Sequence, residues 1–393
     1  MNNWQPKKLG EVCDIGAGNS APQKKEFFVD GIYPFFRTSD IGQIHIGRIT
    51  ESSDYLNEKG IKGLKLFNKG TILLPKSGAS TFLNHRVILG IDGYVSSHLA
   101  TVKTDEKVLN NNYLFYFLQE VKAQDLIQDH KYPSLNLPVI GNIEISYPES
   151  LSEQHRIVKI LDEIFENTKK AKENTEKNLQ NAKELFESYL QSVFANPGED
   201  WEEKRLGDVY DVRDGTHDSP KYQKEGYALI TSKNLKRDEL DYKKIKYISE
   251  KDYQKINERS KVHKGDILFA MIGTIGNPVV VNIDPNFAIK NVALFKVSKD
   301  NSSYFLKYYL DSKFVIDKMI NEAKGTTQKF VGLGYLRDFK IRLPKLSEQK
   351  SIVARLDSLS AETKKLEAIY KQKLEDLEEL KKAVLKNAFS GKL

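Results

Sequence analysis

Seven histidines, at positions 45, 85, 98, 130, 155, 217 and 263, and a single cysteine, Cys13, are the side chains of this 393-residue chain best suited to metal binding or covalent catalysis. No two of the histidines stand at HxH or HxxxH spacing, so they spell no metal site. No GxxxxGK[ST] loop is present to wrap a phosphate, and Val331-Gly-Leu-Gly-Tyr335 is not the GxGxxG of a dinucleotide turn. Asn196-Pro-Gly198 is not the Asn-Pro-Pro-aromatic motif with which an adenine methyltransferase holds its target amine. Pro197, Asp200, Glu202 and Lys204 have the residue types of a nuclease site, but the matching stretch from Asn3 to Lys7 lacks the acids. Cys13 aligns with Tyr210 in a strand-like stretch and reads as packing. The chain is therefore expected to be non-catalytic, with no metal and no cofactor of its own.

The elements that would position any functional group come in two copies. Trp4-Gln-Pro-Lys-Lys-Leu-Gly-Glu-Val-Cys-Asp-Ile15 lines up with Trp201-Glu-Glu-Lys-Arg-Leu-Gly-Asp-Val-Tyr-Asp-Val212. Leu151-Ser-Glu-Gln154 with Ile157-Val158 returns as Leu346-Ser-Glu-Gln349 with Ile352-Val353. Leu190-Gln-Ser-Val-Phe-Ala195 returns as Leu385-Lys-Asn-Ala-Phe-Ser390. Matches at both ends, in order, make the chain a tandem duplication.

Each copy ends in a long amphipathic stretch. Ile157, Leu161, Ile164, Thr168, Ala171, Thr175, Asn178, Ala182, Leu185, Tyr189 and Val193 alternate at spacings of four and three, and the series from Ile352 to Ala388 repeats them. That alternation puts one stripe on one side of a helix, the a/d seam of a coiled coil. Ser152 and Ser347 are the expected N-caps, and Asn196-Pro-Gly198 and Gly391 the stops. Each helix of ~44 residues would reach ~65 Å, and the two stripes are expected to pack on each other.

The rest of each copy reads as mixed α and β. Lys69-Gly-Thr-Ile-Leu-Leu-Pro75 and Lys264-Gly-Asp-Ile-Leu-Phe-Ala270 are matching turn-then-strand pieces. Asn112–Leu118 and Ser303–Leu310 are short aromatic helices, and Ile143–Pro148 and Phe339–Pro344 are strands ending at a proline. The expected fold class is α+β: two mixed α/β domains, 1–151 and 197–346, joined by two long antiparallel helices, 152–196 and 347–393, as a pseudo-two-fold tandem repeat. The landmarks repeat while the residues between them diverge, as two copies of one platform with different faces would.

Composition narrows the setting. One cysteine excludes a disulfide framework, no apolar signal core opens the chain, and no run is long enough to span a membrane, so a cytoplasmic protein is expected. The net charge of +7 is uneven: residues 1–150 balance to zero, whereas residues 201–346 carry +8. A nucleic-acid partner fits the second domain on charge alone.

The doubled Leu-Ser-Glu-Gln…Ile-Val segments, at 148–163 and 344–357, resemble the conserved regions of the DNA-specificity (S) subunits of type I restriction-modification enzymes. So do Asp214-Gly-Thr-His-Asp-Ser-Pro220, followed by Thr231-Ser-Lys-Asn-Leu235, and the Trp-x-x-x-x-Leu-Gly-x-Val starts at Trp4 and Trp201. The likeness covers essentially the whole chain. The first half has Asp14-Ile-Gly-Ala-Gly-Asn-Ser-Ala-Pro22 in place of the Asp-Gly-Thr-His opening. The resemblance implies two target recognition domains, each reading half of a bipartite, asymmetric double-stranded DNA site, with the helix pair as a ruler for the unread spacer. It implies two methyltransferase (M) subunits and two restriction/translocase (R) subunits as partners. S-adenosylmethionine, ATP and Mg are then expected only in those partners.

Reading bases needs donors and acceptors on loops that reach base edges. The candidates in the first domain are Arg37, Thr38, Ser39, Lys76, Ser77, Ser80, Arg86, His98 and Lys131. In the second they are Thr216, His217, Ser232, Lys233, Asn234, Thr274, Asn277, Lys290, Thr326, Gln328 and Lys329. His217 has a rival role, since the Gly215-Thr-His turn is equally suited to capping the backbone. Two other readings of the whole chain stay open at this point: a non-enzymatic coiled-coil adaptor, and the specificity fragment of a fused restriction-methylation enzyme.

Overall fold

The computed structural model describes residues 4–127, 131, 133–236, 238–324 and 329–393. It packs as two units, one of residues 1–175 with 372–393 and one of residues 176–371. Each unit therefore takes one globular domain with part of both long helices, so the division by packing cuts across the division by repeat.

In the first unit the strands are β1 (Pro6–Lys8), β2 (Cys13–Ala17), β3 (Tyr33–Phe36), β4 (Ile46–Ile49) and β5 (Tyr55–Leu56). They continue as β6 (Ile72–Pro75), β7 (Arg86–Leu89), β8 (Tyr94–Val95), β9 (Leu99–Thr104) and β10 (Glu144–Ser146). A five-stranded sheet of order β2-β9-β6-β7-β4 is antiparallel except where β4 meets β7. A three-stranded sheet, β5-β3-β8, and the pair β1-β10 complete the domain.

The second unit repeats the plan. Its strands are β11 (Glu202–Arg205), β12 (Asp211–Asp214), β13 (Tyr227–Ile230), β14 (Leu235–Lys236), β15 (Glu239–Leu240) and β16 (Lys246–Ile248). They continue as β17 (Ile267–Ala270), β18 (Gly276–Val280), β19 (Phe287–Ile289), β20 (Val292–Lys296) and β21 (Lys340–Leu343). The sheets run β12-β20-β17-β18, β16-β13-β19, β14-β15 and β11-β21.

The central strands show why the turn-then-strand pieces recur. Side chains alternate across a sheet. Ile72 and Leu74 of β6 enter the core shared with the aromatic helix Asn111–Glu120, and Leu73 enters the opposite core with Phe36, Val87 and Val95. In β17 Ile267 and Phe269 face the aromatic helix Ser303–Asp311, while Leu268 and Ala270 face the other way. Strands buried on both faces read as continuous apolar runs, as these do.

The repeated Leu-Ser-Glu-Gln segment is a latch. The first long helix runs Leu151–Ala195 and the second Leu346–Phe389. Gln154 is fully buried: its Oε1 accepts the Asn110 N–H at 2.7 Å, and its Nε2 donates to the carbonyls of Val108 and Pro148 at 3.0 and 2.8 Å. Gln349 does the same in the second unit, accepting the Ser302 N–H at 2.9 Å and donating to Pro344 at 2.9 Å. About two turns further on, the Tyr116 hydroxyl donates to Asp162 and the Tyr308 hydroxyl to Asp357. A buried amide satisfied on both sides fixes the helix start to the strand before it and the helix beside it. The expected caps Ser152 and Ser347 instead lie inside the first turn, because each helix begins one residue earlier.

Within each unit the two helices run antiparallel. In the first, Ile157 and Leu161 share a core with Leu385 and Ala388, and Lys172 pairs with Glu378 at 2.7 Å. In the second, Phe186, Leu190 and Phe194 share a core with Leu356. The apolar stripe does not hold its phase to the end. Leu185 and Leu380, equivalent seam positions, are 51% and 47% exposed. From there the first helix turns Phe186, Leu190 and Phe194 inward, and Phe194 meets the rings of Phe305 and Tyr309 at 5.5 and 5.3 Å. A straight helix drifts ~20° per heptad from a strict seven-residue repeat, and here the domain's aromatic helix captures the drifting face. No helix among the described residues is long and apolar enough to cross a membrane.

Candidate nucleic-acid interface

In the second domain the turn after β13, the segment from β14 to β16 and the tips of the β17–β18 and β19–β20 turns enclose a groove of about 960 Å³. Lys233, Lys236, Lys243, Lys244, Lys246 and Lys290 line it, against Asp241. Lys246 lies over the ring of Tyr222, 4.0 Å from its centroid. Thr231, Ser232, Thr274, Asn277 and Asn291 add hydroxyls and amides. Ammonium groups suit phosphates, and short polar side chains at turn tips suit base edges.

Backbone chemistry shapes that surface. Asn234 is buried, its Oδ1 accepting the Thr231 N–H at 3.0 Å and its Nδ2 donating to the Asp241 carbonyl at 2.9 Å. It builds the turn and leaves the surface to Ser232 and Lys233. Gly273, at φ +77, donates its N–H to the Lys329 carbonyl, and Asn277, at φ +49, donates Nδ2 to the Leu235 carbonyl at 3.3 Å. Asn tolerates that left-handed backbone better than most residues.

The Asp214-Gly-Thr-His217 segment flanks the groove and is largely occupied with itself. His217 Nε2 lies 2.9 Å from Asp214 Oδ2, and Nδ1 lies 2.8 Å from the side-chain amide of Asn291. Arg259 takes the other oxygen of the buried Asp214. A Cβ at Gly215 would run into the Ile289 carbonyl, and one at Gly18 into the Ser96 carbonyl, so both domains need glycine there for close backbone approach. Thr216 bridges to Lys290, and Lys290 Nζ donates to the Ser219 hydroxyl.

The same positions in the first domain follow from the matching registers. Phe36 pairs with Val95 as Ile230 pairs with Ile289, so Arg37, Thr38 and Ser39 stand where Thr231, Ser232 and Lys233 do. Gly78 donates its N–H to the Pro133 carbonyl as Gly273 does to that of Lys329, so Ser77 stands where Ile272 does. Ser77 Oγ lies 2.8 Å from His98 Nδ1, Ser80 Oγ donates to the Ser77 carbonyl, and Lys76 is half-buried. Thr38 is half-buried, and Ser39, His98 and Lys131 are exposed.

Two of the arginines expected at the surface do other work. Arg86 is fully buried, donating to the carbonyls of Leu118, His85 and Val121 at 3.1, 2.9 and 3.0 Å, and burial lowers its pKa to about 10. It closes the end of the aromatic helix and cannot reach a ligand. Arg37 is pinned to Asp54, with its guanidinium 5.1 Å from the Phe35 ring centroid and 5.8 Å from that of Phe28. Lys329 is exposed and donates Nζ to the Ile320 carbonyl. Thr326 and Gln328 lie outside the described residues. Lys236, Lys243, Lys244, Lys246, Tyr222 and Asn291 line the groove without having been singled out from sequence. For the lysines the signal was present, in the run Lys243-Lys-Ile-Lys246 within the domain of +8 charge.

Burial pushes the Cys13 thiol up to about 12, which leaves it no nucleophile. Among the described residues no three His, Cys, Asp or Glu side chains gather as a metal site.

The family of the type I restriction modification DNA specificity domain matches this chain twice, over residues 1–181 and 198–376. The chain is 25% identical to the type I restriction enzyme MjaVIII specificity subunit of Methanocaldococcus jannaschii, covering 100% of this chain and 93% of that one. It is 24% identical to a putative type I restriction enzyme specificity subunit of Haemophilus influenzae, over 92% and 88% of the two chains. The fold is shared with the HsdS subunit from Thermoanaerobacter tengcongensis, at a TM-score of 0.70 and 19% identity over 100% and 98% of the chains. A chain in a solved type I R-M system matches with a TM-score of 0.76 at 20% identity over 100% and 99%. With the family pattern present in both halves, on a duplicated domain-and-helix plan, the chain belongs to the DNA-specificity subunits of type I restriction-modification systems.

Proposed function

We propose that each domain reads one half of a bipartite, asymmetric DNA sequence, that the long helices fix the unread spacer, and that the chain brings methyltransferase and restriction subunits to that site. The observation that carries this reading is the second domain's groove, where six lysines surround turn tips bearing hydroxyls and amides. Lysines neutralise phosphates whatever the sequence, while the short polar groups between them discriminate base edges. Divergent side chains on matched turns fit two different half-sites.

The chain contributes recognition and no chemistry. Methyl transfer from S-adenosylmethionine takes place in the methyltransferase subunits, and ATP and Mg serve the restriction subunits. Two methyltransferase copies fit the duplication, since Leu185 and Leu380 offer one exposed leucine each at equivalent helix positions. The assembly acts in the cytoplasm, on the DNA found there.

Reconstitution with its methyltransferase partner and S-adenosylmethionine, followed by mapping of methylated adenines on a mixed DNA library, tests the proposal. A two-part motif with a fixed spacer is expected. Methylation without sequence preference would leave the coiled-coil adaptor as the better reading, and methyl transfer by the chain alone would contradict a purely recognising subunit.

A further inference from the structure

His217 stands at the groove of the second domain with both ring nitrogens engaged by its own chain. Asp214, 4% exposed, is held by Arg259 through one oxygen and meets His217 Nε2 through the other. An ionised carboxylate only accepts, so Nε2 carries its hydrogen toward Asp214 and the ring plane is fixed. Nδ1 is then the acceptor, so the end of the Asn291 side-chain amide that meets it at 2.8 Å is the N–H donor, and the amide oxygen lies on the far side. Asn291 sits in the two-residue turn between β19 and β20 at φ +53, with its backbone N–H donating to the Thr216 carbonyl. Backbone and one side of the amide are thus both set. The other side, the amide oxygen, has no partner among the described residues, on a wall of the groove shared with Lys290, Thr231 and Thr274.

We propose that Asn291 is a specificity-determining residue whose side-chain oxygen accepts from a donor on a base edge, adenine N6 or cytosine N4, and that His217 is the positioning residue that aims it. This rests on the DNA-reading function proposed above. Direct readout demands an acceptor held in one orientation, because a freely turning amide offers donor and acceptor alike. The Asp214-His217 clamp supplies that orientation. The first domain lacks it: Ala17 pairs with Ala100 as Asp214 pairs with Ala293, and Ser20 takes the place of His217. The device therefore governs one half-site only.

The test uses the reconstituted complex with methyltransferase subunits and S-adenosylmethionine, assayed on duplexes in which each base pair of the wild-type motif is changed in turn. Asn291→Gly and Asn291→Asp both tolerate a positive φ, so the turn survives. Asn291→Gly should lose about tenfold discrimination at one base pair, the size of one base-edge contact, with every other position unchanged. Asn291→Asp should relax that pair as well, because it keeps an oxygen toward the groove but offers no N–H to His217 Nδ1 and so loses the clamp. His217→Ala should relax the same pair, and His217→Gln, which can still bridge Asp214 and Asn291, should restore part of the preference. Melting curves on each variant separate misfolding from relaxed reading. Unchanged discrimination in folded variants, or a loss of rate spread evenly over the panel, would overturn the assignment while leaving the subunit's function standing. A wild-type complex that methylates all duplexes alike would instead overturn the DNA-reading function itself.

Discussion

Around its groove the second domain sets Lys233, Lys243, Lys244, Lys246 and Lys290, whereas the first carries Thr38, Ser39, Ser77, Ser80 and His98 on the matching turns. Beneath both lie the same four central strands in the same order (β2-β9-β6-β7 and β12-β20-β17-β18), the same two-sided central strand and the same buried glutamine latch. The contrast separates two jobs. Platform residues cannot vary, because each fills a core or satisfies a buried polar group. Turn residues can vary, and here one face has taken most of the positive charge. The second domain should therefore carry the larger share of sequence-independent attraction to DNA, and the first should depend more on fit.

That comparison can be broken at the charge itself. Replacing Lys243, Lys244 and Lys246 together by alanine should weaken binding to every duplex about a hundredfold at low salt. It should lower the slope of log affinity against log salt by ~2–3, at ~0.9 per phosphate contact. Lys76→Ala in the first domain should change the slope by ~1 at most. Anisotropy titrations at several salt concentrations measure both. Equal effects in the two domains would erase the asymmetry.

The platform can be probed next. Gln154→Ala strands the Asn110 N–H and the Val108 and Pro148 carbonyls, and Gln349→Ala the Ser302 N–H, the Pro344 carbonyl and the Asn301 side-chain oxygen, costing ~1–3 kcal/mol apiece. The cost should be alike in the two halves, because the bonds are alike. Hydrogen exchange at the starts of the two long helices would report it, and a strongly unequal response would show that one latch is dispensable.

Arg86→Met sharpens the comparison from the other side. Its counterpart in strand register is Pro278, so the buried guanidinium belongs to the first domain alone. Losing its three bonds should cost ~1–3 kcal/mol of stability in that domain. Base preference at both half-sites should persist, and an altered motif would return Arg86 to the reading surface.

The smallest expected effect is on pH. Burial, then His45, then Arg86 lower the pKa of His85 below its ordinary 6.5. The unfolded chain therefore binds this proton at a pH where the folded one does not. Stability present above pH 6.5 should fall as the pH drops from there toward the lowered value. Melting curves of the wild type and His85→Gln between pH 7.5 and 5.5 (about two units, spanning the histidine range) would check it. A wild-type dependence that survives the substitution would assign the titration elsewhere.

Much of the platform was legible in the chain. Heptad spacing gave both long helices, and the duplicated Leu-Ser-Glu-Gln gave the repeat, since packing at those residues leaves a periodic trace. The stripe misled at Leu185 and Leu380, both exposed; beside Leu185 the Tyr308 ring of the domain draws Phe186 inward, a neighbour that sequence does not record. Ser152 and Ser347 misled because the latch is made by Gln154 and Gln349, through carbonyls that have no sequence signature. The groove was half visible. Ser232, Lys233, Thr274, Asn277 and Lys290 stood out as polar residues at expected turns. Asn291 did not, because its use depends on a contact with His217, 74 residues away. Arg86 looked like a reader and is core, since an arginine's burial is decided by the carbonyls around it.

The central claim is that the two domains read separate halves of one site. It is tested most directly by replacing residues 197–346 with the corresponding domain of a relative and mapping methylated adenines in a host that supplies the partner subunits. One half of the motif should change to that of the donor, with the other half and the spacer length kept. A motif altered in both halves would contradict independent reading by two domains.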